Sequence, residues 1–510
     1  MEEMKSNPPW NAYPGDQTPP PIALPEHPFF PAAKKELVFG ILSIICGLFL
    51  CNFTLFGGFN LGFAIAVIAI IGTSAGYLMA AGCRLTGYSA TLLGFSILIA
   101  AGFGRSDDGF VKFVMVCFLL ISGNLGLCLM AGQNRRSPSG ITSLLDAPRT
   151  LFVLGIGNMC PAFRGISRSL RSGSPAIKKG GSVLLGLLIA VPVLAILIPT
   201  LMSADAAFEG VINLLPDFDF AEAVATAIFG AGAACILYTR GAALRHVPKS
   251  SPDSRIPKTV SHLTVNTVLI AVCAVYLVYL FSQLAYFVGG FSGILPTEYT
   301  MAQYARRGFF EMAWLCAIDL GLIALFVGIV IKKEGKTPLS TRLLCLFIGI
   351  VTLFIVATAS AKMFMYIGSY GLTRRRVLTE VVMIFLGLST AVVCLWLFLP
   401  KMPYMKVILI AGLVIGAAVL WADVDTVVAY YNVSAYQKGQ LDSIDVSYLS
   451  TLGDGAVPQI ARLVNDQNTL IAEQARAVLR NQAIWVEDFR GWNFATDYAR
   501  QILEEWSGIQ

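Results

Sequence analysis

Long apolar runs broken by short polar segments dominate this chain. They fall near 37–57, 59–81, 86–103, 110–131, 182–203, 223–239, 264–289, 309–331, 341–361, 377–399 and 407–421. A helix rising ~1.5 Å per residue needs ~20 residues to cross ~30 Å of hydrocarbon, so most of these runs are of spanning length. The pattern predicts an all-α integral membrane protein with about eleven transmembrane helices, of which 223–239 and 407–421 are the shortest. The polytopic part covers 34–421. Beyond Trp421 the residues turn polar and helix-periodic, which predicts a small helical, extracytoplasmic domain at 422–510. There Asn468 and Asn493 are placed to cap two helices, the second with Phe494, Tyr498, Ile502 and Trp506 on one face.

The first 33 residues carry nine prolines and no apolar periodicity, which predicts a disordered cytoplasmic tail. This tail lacks the basic start, apolar centre and cleavage site of a signal peptide, so the first apolar run is expected to stay as a span.

Composition agrees with a membrane protein. Of 510 residues 56% are hydrophobic and 13% charged, against ~25% charged in soluble domains. The net charge of +6 matters less than where the cations lie. With the N-terminus inside, 23 of the 37 Lys and Arg fall on the inner side and only 8 in outer loops or helix starts, the other 6 following residue 421. This asymmetry predicts a cytoplasmic N-terminus and an extracytoplasmic C-terminus. The loop 132–181 holds eight bases and one acid and is expected to lie on the anionic inner leaflet, with Leu151 to Met159 as an interfacial piece. The loop 204–222, by contrast, holds five acids and no base.

The eleven cysteines lie in or beside apolar runs and form no CxxC pair, so they read as small hydrophobes. The three histidines are scattered. No GxSxG, HExxH, GxxxxGK[ST] or complete GxGxxG occurs, so neither enzyme chemistry nor a cofactor or metal is expected, and nothing points to nucleic acid.

The remaining candidates are positional. Five outward cations crowd two helix starts: Arg306 and Arg307, then Arg374, Arg375 and Arg376. A cation at a helix N-terminus opposes the macrodipole, so each start is expected to carry compensation. Glu311 and Glu380 stand four residues after Arg307 and Arg376, a spacing that puts each pair on one face. The carboxylates beyond residue 421 are further expected partners, with Asp423, Asn432, Asp445 and Asp454 as outer-face contacts. Asp319 falls about 15 Å into its run, near mid-bilayer, where a charge costs ~2.5–3.5 kcal/mol or more. It reads either as a proton or ion relay or as a buried hydrogen-bonding group.

The segments EYTMAQYARRGFFEM, SYGLTRRRVLTE and AYYN…LDSIDVSYLSTLGDGAVP resemble an uncharacterised family of bacterial multi-pass membrane proteins, known only as a domain of unknown function. The resemblance covers roughly residues 260 to 510. It implies a bacterial, Gram-positive, cytoplasmic-membrane protein and brings no catalytic residues. The expected function is transport of a small polar or anionic solute through a bundle with an outward Arg/Glu vestibule. The alternatives are a membrane-embedded sensor or assembly partner working through its outer face, with a membrane protein as partner, and an enzyme acting on a lipid-linked substrate.

Overall fold

The computed structural model describes residues 30–172 except 32, residues 220–249, 260–291, 309–331, 337–482 and 488–507, and scattered positions between 182 and 208. Side chains at 169–172, 220, 283–291, 309–311 and 507 lie outside that description. So do the Pro-rich residues 1–29, Arg306, Arg307 and much of the expected span 182–203.

Among the described residues, nine helices are long and apolar enough to cross a membrane. They belong to α1 (Lys34–Gly57), α2 (Leu61–Ala80), α4 (Gly109–Ala131), α6 (Phe220–His246), α7 (His262–Phe291), α8 (Phe309–Ile329), α9 (Leu339–Tyr370), α10 (Arg374–Phe398) and α11 (Tyr404–Ala422). The helix at the expected span 86–103 is α3 (Gly87–Gly102), of 16 residues and below that length. Its end is covered by protein: a Cβ on Gly102 would stand 2.7 Å from Leu420 and 3.0 Å from the Trp421 indole. The expected run 223–239 corrects in the opposite sense. Apolar counting stops at the first charge, yet α6 continues for 27 residues to His246, because Arg240 and Arg245 find partners within the protein.

Small residues set a close helix crossing. A Cβ on Gly47 of α1 would meet the Ala234 nitrogen and the Gly230 oxygen of α6 at 2.6 Å, so the two backbones touch as they do in membrane interfaces built on small residues. After α4, a π-helical stretch, Arg149–Gly155, leads into α5 (Met159–Ser172). Here Phe152, Val153 and Ile156 expose apolar surface beside Arg164 and Arg168, the amphipathic character expected of an interfacial segment.

Beyond α11 the chain forms α12 (Val424–Gln437), α13 (Val446–Ser450), α14 (Val457–Ala461), α15 (Thr469–Asn481) and α16 (Phe494–Ser507). Asn468 and Asn493 cap α15 and α16 through Leu470 N–H at 3.1 Å and Thr496 N–H at 2.9 Å. Among the described residues this region has no core to itself. Val428, Val457, Leu463, Leu479 and Ala499 share one hydrophobic cluster with Phe63, Leu92, Met115 and Leu413 of the bundle. In α16 the buried stripe is Ala495 and Ala499, whereas Phe494 and Tyr498 stay exposed. Small residues are needed there because the helix lies against the tight Asp454–Ala456 turn.

The region docks on one end of the bundle, formed by the turns after α1, α3 and α9 and by Asp423 after α11. Asn432 shows how specific the fit is. Its amide donates to Leu372 C=O at 2.8 Å and its oxygen accepts from Leu372 N–H at 2.7 Å, clamping the α9–α10 turn. Gly371 in that turn has φ +72°, and a Cβ there would stand 2.7 Å from the Asn432 oxygen. Gly371→Ala is therefore expected to lower stability by at least ~1–2 kcal/mol, from the left-handed backbone alone. A melting temperature in detergent equal to that of the parent would refute this.

Candidate functional site

At the docking end, Arg374 opens α10 with its guanidinium against the helix dipole, and two carboxylates answer it. Its Nε donates to Asp425 Oδ1 at 2.7 Å and a terminal nitrogen to the other Asp425 oxygen, a bidentate pair. Asp108 Oδ2 stands 3.2 Å from the same Nε. Both acids are almost fully buried. Asp108 also caps α4, accepting from Phe110 and Val111 N–H at 2.9 and 3.0 Å, and Asp425 accepts Gly453 N–H at 3.0 Å. The Arg374 backbone N–H donates to Tyr448 Oη at 2.9 Å. One arginine thus joins α4, α10, α12 and the α13 segment.

Further carboxylates surround this pair. Asp423, a non-glycine residue at φ 55°, accepts from Ser106 Oγ at 2.9 Å and Thr426 Oγ1 at 2.5 Å. Asp454 accepts from Thr496 Oγ1 at 2.7 Å and lies 3.4 Å from the Gln482 amide, and Asp445 caps α13 through Tyr448 N–H at 2.8 Å. Lys112, buried at 4% exposure, donates to Asn60 Oδ1. Asp107 keeps part of its surface in solvent, yet protein packed around its carboxyl, followed by the charges of Asp454, Asp423 and Asp425, lifts it to about 6 against the opposing pull of Lys112. Burial raises Asp423 as well.

A carboxyl raised in the folded state contributes stability that is present below its unfolded value of 3.8 and is lost as pH rises through about 6. The contribution of Asp107 to docking is therefore greater at pH 5 than at pH 7.5. Asp107→Asn is expected to flatten the change in melting temperature across pH 6. An unchanged pH profile in that variant would exclude Asp107 as its source.

A second strap closes the same end. Arg490 pairs with Glu222 of α6 and with Asp488, and donates to Asn52 Oδ1 at 2.9 Å. Asn52 in turn donates to Glu222 at 2.8 Å and Thr226 at 3.1 Å. Leu61 N–H bonds Trp492 C=O at 3.1 Å, Phe494 N–H bonds Gly104 C=O at 2.8 Å, and Arg105 stacks 4.5 Å over the Phe494 ring.

The other expected residues separate from this junction. Arg376 does not pair with Glu380. It donates to Gly371 and Tyr370 carbonyls at the end of α9 and lies 4.0 Å over the Tyr366 ring, satisfying a helix C-terminus instead. Glu380 is buried with Oε2 unbonded, and Arg375 is exposed. Arg306, Arg307 and the Glu311 side chain lie outside the described residues. Asp319 is fully buried, one oxygen accepting from Tyr276 Oη and the other from Thr352 Oγ1 at 2.7 Å. A residue counted by sequence as a loop cation, Arg240, is instead buried in the bundle, donating to Asn124 at 3.1 Å and Ser74 at 3.0 Å with its Nε unbonded.

Sequence reasoning passed over Asp107, Asp108, Lys112, Asp425 and Arg490. The available signal was weak: an Asp-Asp pair four residues before a lysine in the turn after the third apolar run, and a second aspartate two residues after Asp423. Among the described residues no three His, Cys, Asp or Glu side chains gather as metal ligands do. Asp423, Asp425, Asp445 and Asp454 are each held by their own donors, whereas Asp108 Oδ2, the oxygen nearest Arg374, is buried without a hydrogen bond.

Among the described residues, nine helices of membrane-crossing length and apolarity, with a helical region sharing their core, define a multi-pass α-helical membrane protein. The chain belongs to the family described as Domain of unknown function (DUF4153), whose model matches residues 89–463. The match begins in α3, well ahead of residue 260 where the motif resemblance starts, and ends before α15 and α16. It therefore includes Asp107, Asp108, Arg374 and Asp425 but not Arg490. No curated protein and no solved structure matches the chain.

Proposed function

We propose that this protein is a membrane-embedded sensor or assembly partner in which the C-terminal region and the bundle report each other's state through the Arg374 junction. The observation supporting this reading is that the arginine expected to line an open vestibule is committed to Asp425 and Asp108, at the edge of a core shared by both parts. A ligand or partner acting on the C-terminal region is thereby felt at α4 and α10. Hydrogen exchange on the full chain in detergent tests the coupling. Arg374→Gln is expected to raise exchange in α12, in the 371–373 turn and in the 103–108 turn together. A rise confined to residues around 374 would refute communication across the junction.

In this reading the protein sits in the cell membrane of a bacterium, with its N-terminus cytoplasmic and its C-terminus outside. A cysteine placed at Ser507, in a background without other reactive thiols, is expected to react with an impermeant maleimide in intact cells, while one at Ser137 is protected. The reverse pattern would invert the orientation.

Transport of a small polar or anionic solute is the second reading, favoured by Arg240. A buried guanidinium with no carboxylate bonded to it among the described residues and one nitrogen unbonded is costly in a membrane bundle and often marks a solute path. Anion flux into proteoliposomes, lost in Arg240→Gln at unchanged abundance, would support it; absence of flux in the parent would remove it.

A further inference from the structure

At the end of the bundle opposite the junction, the outer faces of α1 and α2 leave a groove of about 490 Å³ lined by Lys34, Lys35, Val38, Leu42, Gly72 and Gly76, among others. This volume lies within the ~300–1,000 Å³ range of small-molecule sites. Lys34 to Leu42 on one wall and Gly72 to Ala80 on the other are each eight helical steps apart, so the groove runs about 12 Å along the helices. Its depth is apolar: Val38 and Leu42 are exposed along it, and a Cβ on Gly72 or Gly76 would meet nothing within 4 Å. Thr73 turns its hydroxyl back to Ala69 C=O at 2.8 Å, so it needs nothing polar from an occupant.

The mouth is cationic. Among the described residues no carboxylate pairs with Lys34 or Lys35, and Lys35 Nζ reaches only the Ala80 carbonyl at the end of α2. The nearby acid, Glu36, is already engaged by Arg245, by His246 at 3.3 Å and by Tyr77 Oη at 3.3 Å, so it does not offset the lysines.

We propose that this groove binds one anionic glycerophospholipid, with its phosphate at Lys34 and Lys35 and an acyl chain along Val38, Leu42, Gly72 and Gly76. The argument is charge complementarity at a mouth level with the helix ends, where headgroups lie, above an apolar slot that continues inward. Basic pockets between helices are known to select anionic headgroups on this principle. The site does not depend on the proposed role of the junction.

The test uses the purified full chain in detergent, titrated with phosphatidylglycerol, phosphatidylcholine or chain-free glycerol 3-phosphate, with bound lipid counted by native mass spectrometry. Phosphatidylglycerol is expected to bind the parent, and Lys34→Gln with Lys35→Gln to weaken binding about tenfold to thirtyfold. Gly76→Leu, which fills the slot without touching protein atoms at its Cβ, is expected to abolish it while the lipid-free melting temperature holds. Phosphatidylcholine binding as tightly as phosphatidylglycerol would overturn the proposal. So would phosphatidylglycerol binding unchanged in both variants, or glycerol 3-phosphate displacing the lipid at equal concentration, which would indicate a free-phosphate site.

Discussion

Arg374→Gln is expected to lower the stability of the docked C-terminal region by about 2–3 kcal/mol and to release it to protease in the otherwise folded protein. Breaking a buried ion pair costs ~3–5 kcal/mol because the surviving charge is left uncompensated, and the figure is reduced here because a third of the Arg374 side chain reaches solvent. The surviving charges are Asp425 and Asp108, both nearly inaccessible. Asp425→Asn added to Arg374→Gln should recover part of the loss by removing one of them, and Asp108, which also caps α4, should account for the remainder. Limited proteolysis after residue 421 and thermal unfolding in detergent would give both values. A single variant as resistant as the parent would show that the shared hydrophobic core alone holds the region in place.

Asp319 gives the second large effect, and the two substitutions there diverge. Asp319→Leu removes the acceptor of Tyr276 Oη and of Thr352 Oγ1. Thr352 keeps a bond to Ile348 C=O at 2.9 Å, so the phenol bears most of the penalty, about 1–3 kcal/mol for an unsatisfied buried group. The Leu variant should therefore accumulate to lower levels. Asp319→Asn retains an acceptor and nearly the same shape, so abundance should hold. With both carboxyl oxygens taken by hydroxyls of α7 and α9, the Asn variant is also expected to complement a deletion strain. Loss of complementation at normal abundance would instead reveal proton or ion exchange at Asp319 and restore transport as the leading reading.

The segment 223–239 shows why counting apolar residues misjudges a membrane chain. A cation ends an uninterrupted apolar run, but in α6 Arg240 bonds Asn124 and Ser74 and Arg245 pairs with Glu36, so the helix continues past them. The i,i+4 argument failed at Arg376 for a related reason. Spacing brings Glu380 within reach, but the free carbonyls of Tyr370 and Gly371, six and five residues earlier across the α9–α10 turn, are the better acceptor. At Arg374 the expectation of a carboxylate beyond residue 421 met Asp425, one of several acids that nothing local could rank.

What the sequence by itself determined is the part governed by local physics: helices, because a backbone in hydrocarbon must satisfy its own polar groups, and caps at Asn468 and Asn493, because their amides reach only the next turn. Tertiary structure alone decided the partners. Asp108 and Asp425 are separated by more than 300 positions in the chain and meet at one guanidinium because the α3–α4 turn and the start of α12 arrive at the same end of the bundle. A long-range ion pair is selected by which helix ends share a surface and by the desolvation that leaves each charge no other partner, and neither is written in the residues flanking it.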